Sequence, residues 1–121
     1  MVLATNPLFP MSGMITRLNW LDLYPDDFLL VTSYENSHFC KPNPGYYHHI
    51  MKTLGKNPED CLMVGNDLEE DMCAGEMGMD TFLVTDYTVN KNGMDISAFR
   101  QGSFGDFYKL VLSLPPVVEK P

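Results

Sequence analysis

Short apolar runs along the chain are separated by stretches whose apolar residues recur at helical spacing. The runs predict buried strands over residues 2–5, 28–32, 61–64 and 81–85. Helical spacing predicts a helix from a Ser12 cap to about Tyr24 and helices over residues 68–77 and 104–112. It also predicts a helix that has a proline in its first turn, carries Tyr46 to Leu54 and ends in a left-handed cap at Gly55. Strands and helices that alternate in this way are typical of an α/β fold, a Rossmann-like parallel sheet with helices on both faces.

The length of the chain limits the number of hydrophobic cores. A chain of 121 residues is near the common size of a domain with a single core. We therefore predict one core domain over residues 1–114, followed by a tail over residues 115–121 that begins with Pro115-Pro116.

Acidic residues outnumber basic ones. The chain has 8 Lys and Arg residues against 16 Asp and Glu residues, a formal net charge of -8, and neither Lys nor Arg occurs between Asn57 and Asn90. Such a surface repels phosphate backbones and anionic lipids, so we expect a cation as ligand and neither nucleic acid nor membrane as partner. No stretch reaches roughly 18 consecutive apolar residues, and three cysteines without CxxC spacing are typical of reduced thiols, so we predict a cytoplasmic protein.

Polar residues follow three of the predicted strands. Thr5-Asn6 follows the first, Lys41 lies in the loop after the second, and Asp67 follows the third. Because ligands gather at the carboxyl ends of parallel strands, we expect these residues to face one another. A hydroxyl and an amide can donate hydrogen bonds to a phosphoryl oxygen, and an ammonium can neutralise charge that develops in phosphoryl transfer. The alternative for each residue alone is that Thr5 caps a turn and Lys41 is a surface charge.

Two acids after the third strand form a candidate metal site. Asp67 and Asp71 lie four residues apart, Asp67 at the end of the strand and Asp71 in the first turn of a predicted helix. At this spacing both carboxylates can point at one site, and oxygen ligands that retain waters suit Mg²⁺. Glu69 and Glu70 are predicted to face solvent, where they favour the helix dipole.

Three segments in this order resemble the haloacid dehalogenase (HAD) superfamily of hydrolases: Thr5-Asn6, Lys41-Pro42-Asn43-Pro44 and Val64-Gly65-Asn66-Asp67-Leu68-Glu69-Glu70-Asp71. The resemblance implies Mg²⁺-dependent hydrolysis of a small phosphorylated molecule, a phosphate monoester, through an aspartyl-phosphate. It implies that Thr5, Asn6 and Lys41 bind the phosphate, with Thr5 and Lys41 catalytic. It also implies that Asp67 and Asp71 hold Mg²⁺, Asp67 directly and Asp71 from behind it or by ordering the loop. Many relatives run directly from Gly to Asp where this chain has Asn66, so the ligand register stays open by one residue.

The same resemblance identifies what this sequence lacks. In the family an Asp-x-Asp-x-Thr pattern ends the first, central strand, and its first Asp attacks phosphorus, whereas this sequence contains no Asp-x-Asp. Without that carboxylate the covalent route is closed, so we expect a truncated core, lacking the first strand and the cap segment, that is inactive in isolation. A missing central strand leaves two open sheet edges. We expect the flanking strands to pair with each other, a neighbouring chain to donate a strand, or another segment to enter the gap.

Two other functions stay open. The first is a non-catalytic anion-binding or interaction module that uses Thr5, Asn6 and Lys41 and assembles through its open edges, as a homo-oligomer or by strand exchange. The second is a two-chain enzyme in which a separate polypeptide supplies the nucleophile strand.

Overall fold

Parallel strands form two sheets in residues 1–116, the part of the chain that the computed structural model describes. In the first sheet β1 (Val2–Leu3) pairs with β2 (Leu30–Val31). The second sheet has the order β3 (Leu62–Gly65), β4 (Asp80–Val84) and β5 (Gln101–Gly102). The first sheet lies in a compact unit that ends at Pro58, and the second lies in a unit that begins at Glu59. Parallel strands with helices between them confirm the predicted α/β class.

The first unit begins with β1 and the helix α1 (Met11–Asn19), which packs on β2. Met14 and Leu18, one helical turn apart on α1, are buried against Val31. The prediction of a Ser12 cap is wrong, because α1 begins at Met11 with Pro10 in an extended conformation before it. The Met11 N–H donates to Glu35 Oε2 at 2.8 Å instead, so a distant carboxylate replaces a local cap.

The second helix of this unit, α2 (Pro44–Leu54), has a proline in its first turn and ends before Gly55, as its sequence predicts. The Asn43 side chain accepts a hydrogen bond from the Gly45 N–H at 2.8 Å, and Pro44 stands at the first helical position, where its missing N–H costs nothing. Gly55 ends the helix with φ 64°, the left-handed conformation that glycine adopts without strain. Local capping chemistry thus fixes both ends of α2.

The second unit is built around β4, whose Phe82 and Leu83 are buried. The predicted helix over residues 68–77 is only partly present, since a 3-10 helix runs over Met72–Met77 and the preceding residues form a turn. The strand β5 has only two residues and no apolar run, so the sequence does not predict it. The last helix, α3 (Phe104–Ser113), agrees with its prediction to within one residue.

Several predictions from the sequence are not tested by these helices and strands. Within residues 1–116, β1 and β3 belong to different sheets and do not pair with each other. The other two ways of filling the gap, a strand from a neighbouring chain or another segment, stay predictions. The single core over residues 1–114 also stays a prediction, and the predicted tail lies outside the described residues from position 117 onward. Within residues 1–116, no helix has the length and apolar character needed to cross a bilayer.

Candidate functional site

Thr5 follows β1, and its main chain is held by two buried hydroxyl groups of the same unit. The Thr5 N–H donates to Thr32 Oγ1 at 3.0 Å. The Thr5 carbonyl accepts from the Thr32 hydroxyl at 2.6 Å and from the Tyr46 hydroxyl at 2.8 Å. Thr32 is 1% exposed and Tyr46 is 2% exposed, so water does not compete for these bonds.

The side chain of Thr5, unlike its main chain, is not hydrogen-bonded within residues 1–116. Its Oγ1 is buried and has no hydrogen-bond partner within residues 1–116, so it caps no turn there. A buried hydroxyl left unsatisfied costs about 1–3 kcal/mol, and such groups are rare in folded proteins. An acceptor supplied by a ligand would remove this cost.

Asn6 and Lys41, the other two residues predicted to bind phosphate, are brought together in the first unit. Asn6 Oδ1 accepts a hydrogen bond from the Lys41 N–H at 2.7 Å, across 35 positions of sequence. The Lys41–Pro42 peptide bond is cis. The hydrogen bond between Asn6 and Lys41 holds the main chain at Lys41 beside the end of β1.

Asp67 and Asp71 are joined in the second unit by short-range hydrogen bonds. Asp67 Oδ1 accepts from the N–H groups of Glu69 and Glu70, both at 2.9 Å, and Asp71 Oδ2 accepts from the Asp67 N–H at 3.1 Å. Asp71 is 5% exposed, and a Cβ added to Gly65 would collide with its carboxylate. We define residues 65–71 as the acidic turn.

These contacts give the two acids different capacities for a metal ion. Asp67 is half-buried, and its Oδ2 has no hydrogen-bond partner within residues 1–116, whereas the Asp71 carboxylate lies against Gly65 and holds the Asp67 N–H. One free carboxylate oxygen fits Mg²⁺, which retains waters and takes one or two protein carboxylates with substrate phosphate oxygens. No group of three or more His, Cys, Asp or Glu side chains in the described part of the chain could form a closed metal cage.

Asn66 bears on the ligand register. Its Nδ2 donates to the Tyr87 carbonyl at 2.8 Å, and its carbonyl accepts from the Val89 N–H at 2.8 Å. Asn66 is therefore tied to the loop after β4, while the neighbouring Asp67 keeps an unused oxygen. A charged carboxylate binds Mg²⁺ more readily than an amide oxygen does, so Asp67 rather than Asn66 is the candidate ligand.

A shallow depression of about 360 Å³ lies at the carboxyl ends of β3 and β4. Seven residues of the second unit line it: Val64, Gly65, Asn66, Val84, Asp86, Tyr87 and Phe104. Asp86 Oδ2 accepts from the Phe104 N–H at 2.6 Å and so satisfies the first turn of α3.

Sequence reasoning missed Thr32 and Tyr46 in the first unit and Asp86 and Tyr87 in the second. The only signal for Thr32 and Asp86 is a polar residue near the end of an apolar run, and Tyr46 stands among apolar residues of α2. The predicted convergence of Thr5 and Lys41 with Asp67 joins residues of two units and stays a prediction.

Comparison with known proteins finds a family match over the centre of the chain. Residues 38–96 match the HAD-hydrolase-like family. The chain is 37% identical over 54 residues to N-acylneuraminate-9-phosphatase of Homo sapiens, a match covering 45% of this chain and 21% of that protein. The enzyme of the same name from Rattus norvegicus is 38% identical over 53 residues, which are 44% of this chain and 20% of that protein. The chain thus spans about a fifth of the length of these curated relatives.

Two solved structures resemble the fold. The HAD phosphatase from Thermococcus onnurineus has a TM-score of 0.61 and 22% identity, over 83% of this chain and 46% of that one. An uncharacterized protein from Listeria monocytogenes serotype 4b has a TM-score of 0.65 and 14% identity, over 84% of this chain and 62% of that one. At these identities the likeness shows the fold alone.

Proposed function

We propose that this chain, which belongs to the HAD superfamily of hydrolases, supplies the phosphate-binding and metal-binding residues of a phosphatase core but not its attacking carboxylate. The observation that carries the proposal is the buried Thr5 hydroxyl without a partner in the described chain, at the carboxyl end of a parallel strand. Ligands of open α/β sheets bind at such strand ends.

Thr5, Asn6 and Lys41 would bind the phosphoryl group. The Thr5 hydroxyl donates a hydrogen bond to a phosphoryl oxygen, which satisfies the buried group, and the Lys41 ammonium offsets negative charge on the other oxygens. Asn6 holds the Lys41 main chain in place through the 2.7 Å bond. In this proposal Thr5 and Lys41 are the catalytic residues present.

Asp67 would hold Mg²⁺ through Oδ2, with waters completing the coordination. When bound, the ion neutralises charge on the phosphoryl oxygens. Asp71 would not reach the ion but would keep the acidic turn in shape, since its carboxylate accepts the Asp67 N–H and fills the space over Gly65. Of the two roles that the family resemblance left open for Asp71, this proposal takes loop ordering.

The chain alone would bind phosphate but not hydrolyse its esters. The covalent route needs a carboxylate that attacks phosphorus, and the sequence contains no Asp-x-Asp to provide one. We propose phosphate monoesters as the substrate class. The matched residues of N-acylneuraminate-9-phosphatase cover about a fifth of that enzyme, which is too little to extend its named substrate to this chain.

A p-nitrophenyl phosphate assay with Mg²⁺, combined with calorimetric titration of inorganic phosphate, tests this proposal. We expect no turnover above background, phosphate binding that Lys41→Ala weakens, and little change for Lys56→Ala, a control lysine on the exposed surface of the same unit. Turnover that Lys41→Ala abolishes would show that an attacking group is present after all. A chain without phosphate binding would contradict the proposed role.

A non-catalytic anion-binding or interaction module is the second candidate, favoured by the absence of Asp-x-Asp from the sequence. Mg²⁺-dependent phosphate binding by a chain that purifies as a stable homo-oligomer would support it. Copurification with a polypeptide whose Asp-x-Asp strand restores turnover would support the two-chain enzyme instead.

A further inference from the structure

We propose that Thr32 and Tyr46 are positioning residues that set the direction of the Thr5 hydroxyl for an anionic ligand. The inference rests on the proposed function, in which that hydroxyl binds a phosphoryl oxygen. Neither residue has to touch the ligand, because both act through the main chain of Thr5.

The available protons account for each hydrogen bond around Thr5. Thr32 Oγ1 has one proton, which the short 2.6 Å contact assigns to the Thr5 carbonyl, and one of its lone pairs accepts the Thr5 N–H. The Tyr46 proton goes to the second lone pair of the same carbonyl at 2.8 Å. Every main-chain donor and acceptor of Thr5 is then satisfied, and among the polar atoms of Thr5 it is Oγ1 that lacks a partner in the described chain.

The two hydroxyls also contact each other, although both of their protons are directed to the Thr5 carbonyl. Thr32 Oγ1 lies 3.1 Å from the Tyr46 hydroxyl, so the two hydroxyls and the Thr5 carbonyl form a closed triangle. Thr32 is 27 positions and Tyr46 is 41 positions from Thr5 in sequence, so the triangle joins the ends of β1 and β2 to the first turn of α2. The main chain of Thr5 is thus held from two other segments, which fixes the direction of its Cα–Cβ bond and, because rotamer choice depends on φ and ψ, restricts its χ1 angle.

The triangle also connects Thr5 with the loop that carries Lys41. The end of β1 is tied to this region twice, by Asn6 Oδ1 to the Lys41 N–H and by the Thr5 carbonyl to Tyr46, in the helix that follows Lys41. Two adjacent ties fix an orientation as well as a distance. The hydroxyl of Thr5 and the main chain of Lys41 therefore keep a constant relation, which a site for one tetrahedral anion requires.

A double-mutant cycle with Thr5 distinguishes a positioning role of Thr32 from a purely structural one. The probe is inorganic phosphate with Mg²⁺, titrated into the ¹⁵N-labelled full chain while the main-chain amide signal of residue 5 is followed. We expect Thr5→Val to weaken phosphate binding about tenfold, the effect of losing one hydrogen bond to a charged group. Thr32→Val should weaken it about fivefold in the wild-type chain but less than about twofold in the Thr5→Val chain, because it acts through Thr5.

Conservative and control variants complete the cycle. Thr32→Ser keeps the hydroxyl and should restore affinity to within about twofold of wild type. Tyr46→Phe should weaken binding less than Thr32→Val, since the Thr5 carbonyl retains its shorter bond. Thr53→Val removes an exposed hydroxyl that donates to the His49 carbonyl at 2.8 Å on α2, and should leave affinity unchanged.

A second measurement does not depend on phosphate. Three-bond couplings of Thr5 report its χ1 angle, which we expect to take one rotamer in wild type and Thr32→Ser but to average over several in Thr32→Val. Equal weakening by Thr32→Val with and without the Thr5 hydroxyl, or an unchanged χ1, would overturn the positioning role. A wild-type chain with a single χ1 rotamer but no phosphate binding would instead contradict the proposed function and leave the triangle intact.

Discussion

The end of β1 and the acidic turn are both built from hydrogen bonds to fixed main-chain groups, yet their partners come from very different distances. In the acidic turn, the carboxylates of Asp67 and Asp71 bond to N–H groups two to four positions away. At the end of β1, the partners of Thr5 are 27 and 41 positions away. One arrangement is local and the other depends on packed helices and strands.

The two arrangements should therefore be sensitive to different substitutions. A local turn forms as soon as its few residues take up the right dihedral angles, so a change inside it should damage it directly. A network of three distant segments forms only after the surrounding fold has brought the segments together, because closing the loops between them costs conformational entropy. Its weakest points should be the buried hydroxyls that join the segments.

We expect the largest effect from a substitution that disturbs the packing of the acidic turn. Gly65→Ala places a Cβ against the Asp71 carboxylate, a close contact that only a shift of the turn can relieve. We expect the free energy of unfolding, measured by urea denaturation, to fall by about 3 kcal/mol. Gly75→Ala is the matched control, because its Cβ would meet Thr81 Cγ2 at an ordinary 3.5 Å. Equal unfolding midpoints for both variants would show that the turn tolerates the added carbon.

The next effect concerns the distant partners of Thr5. Tyr46→Phe removes one of two hydrogen bonds to the Thr5 carbonyl in a buried region, so the free energy of unfolding should fall by about 1.5 kcal/mol. Tyr34→Phe, a change at a side chain that is 71% exposed in the same unit, should leave the midpoint unchanged. A loss as large for Tyr34→Phe would contradict the importance of the buried triangle.

A smaller effect separates the two capacities of Asp67. Asp67→Ala removes the acceptor for two N–H groups and should cost about 1 kcal/mol of unfolding free energy, as the loss of a cap does. Asp67→Asn keeps an acceptor oxygen, so stability should be retained while Mg²⁺ binding, followed by calorimetry, is lost. Glu69→Gln is the exposed control and should retain both. Unaltered Mg²⁺ affinity in Asp67→Asn would exclude Asp67 as the ligand.

The smallest effect comes from a third locally bonded carboxylate, at the start of α3. The Ser103 N–H, at 2.9 Å, and the Ser103 hydroxyl hold the pKa of Asp106 below its ordinary value of 3.8. A lowered pKa means that this stabilisation is fully present above pH 3.8 and is lost as the pH falls through the folded-state pKa. NMR titration of the Asp106 carboxyl carbon checks the direction, and a pKa above 3.8 would contradict it. In Asp106→Asn this pH-dependent contribution to α3 should be absent.

The local features of the fold were predictable to the extent that their signals lie within one turn. A proline in the first turn and Gly55 at the end mark α2 correctly, because these signals involve residues within a few positions of the helix ends. The start of α1 was predicted two residues late, because its first N–H bonds to Glu35 from 24 positions away. The turn before the 3-10 helix at Met72 was predicted to be helical. Acidic residues are common in a first helical turn, so the sequence does not distinguish such a turn from the hydrogen-bonded turn that Asp67 and Asp71 form.

By itself, the sequence determined the alternation of strands and helices, the position of α2 and the identity of the acids in the turn. These follow from periodicity and from short-range chemistry, in which partners are neighbours in the chain. Only the tertiary structure decided that the Thr5 hydroxyl is left without a partner in the described chain while Thr32 and Tyr46 hold its main chain. The physical reason is that a hydrogen bond between residues 27 or 41 positions apart exists only after packing has brought their segments together.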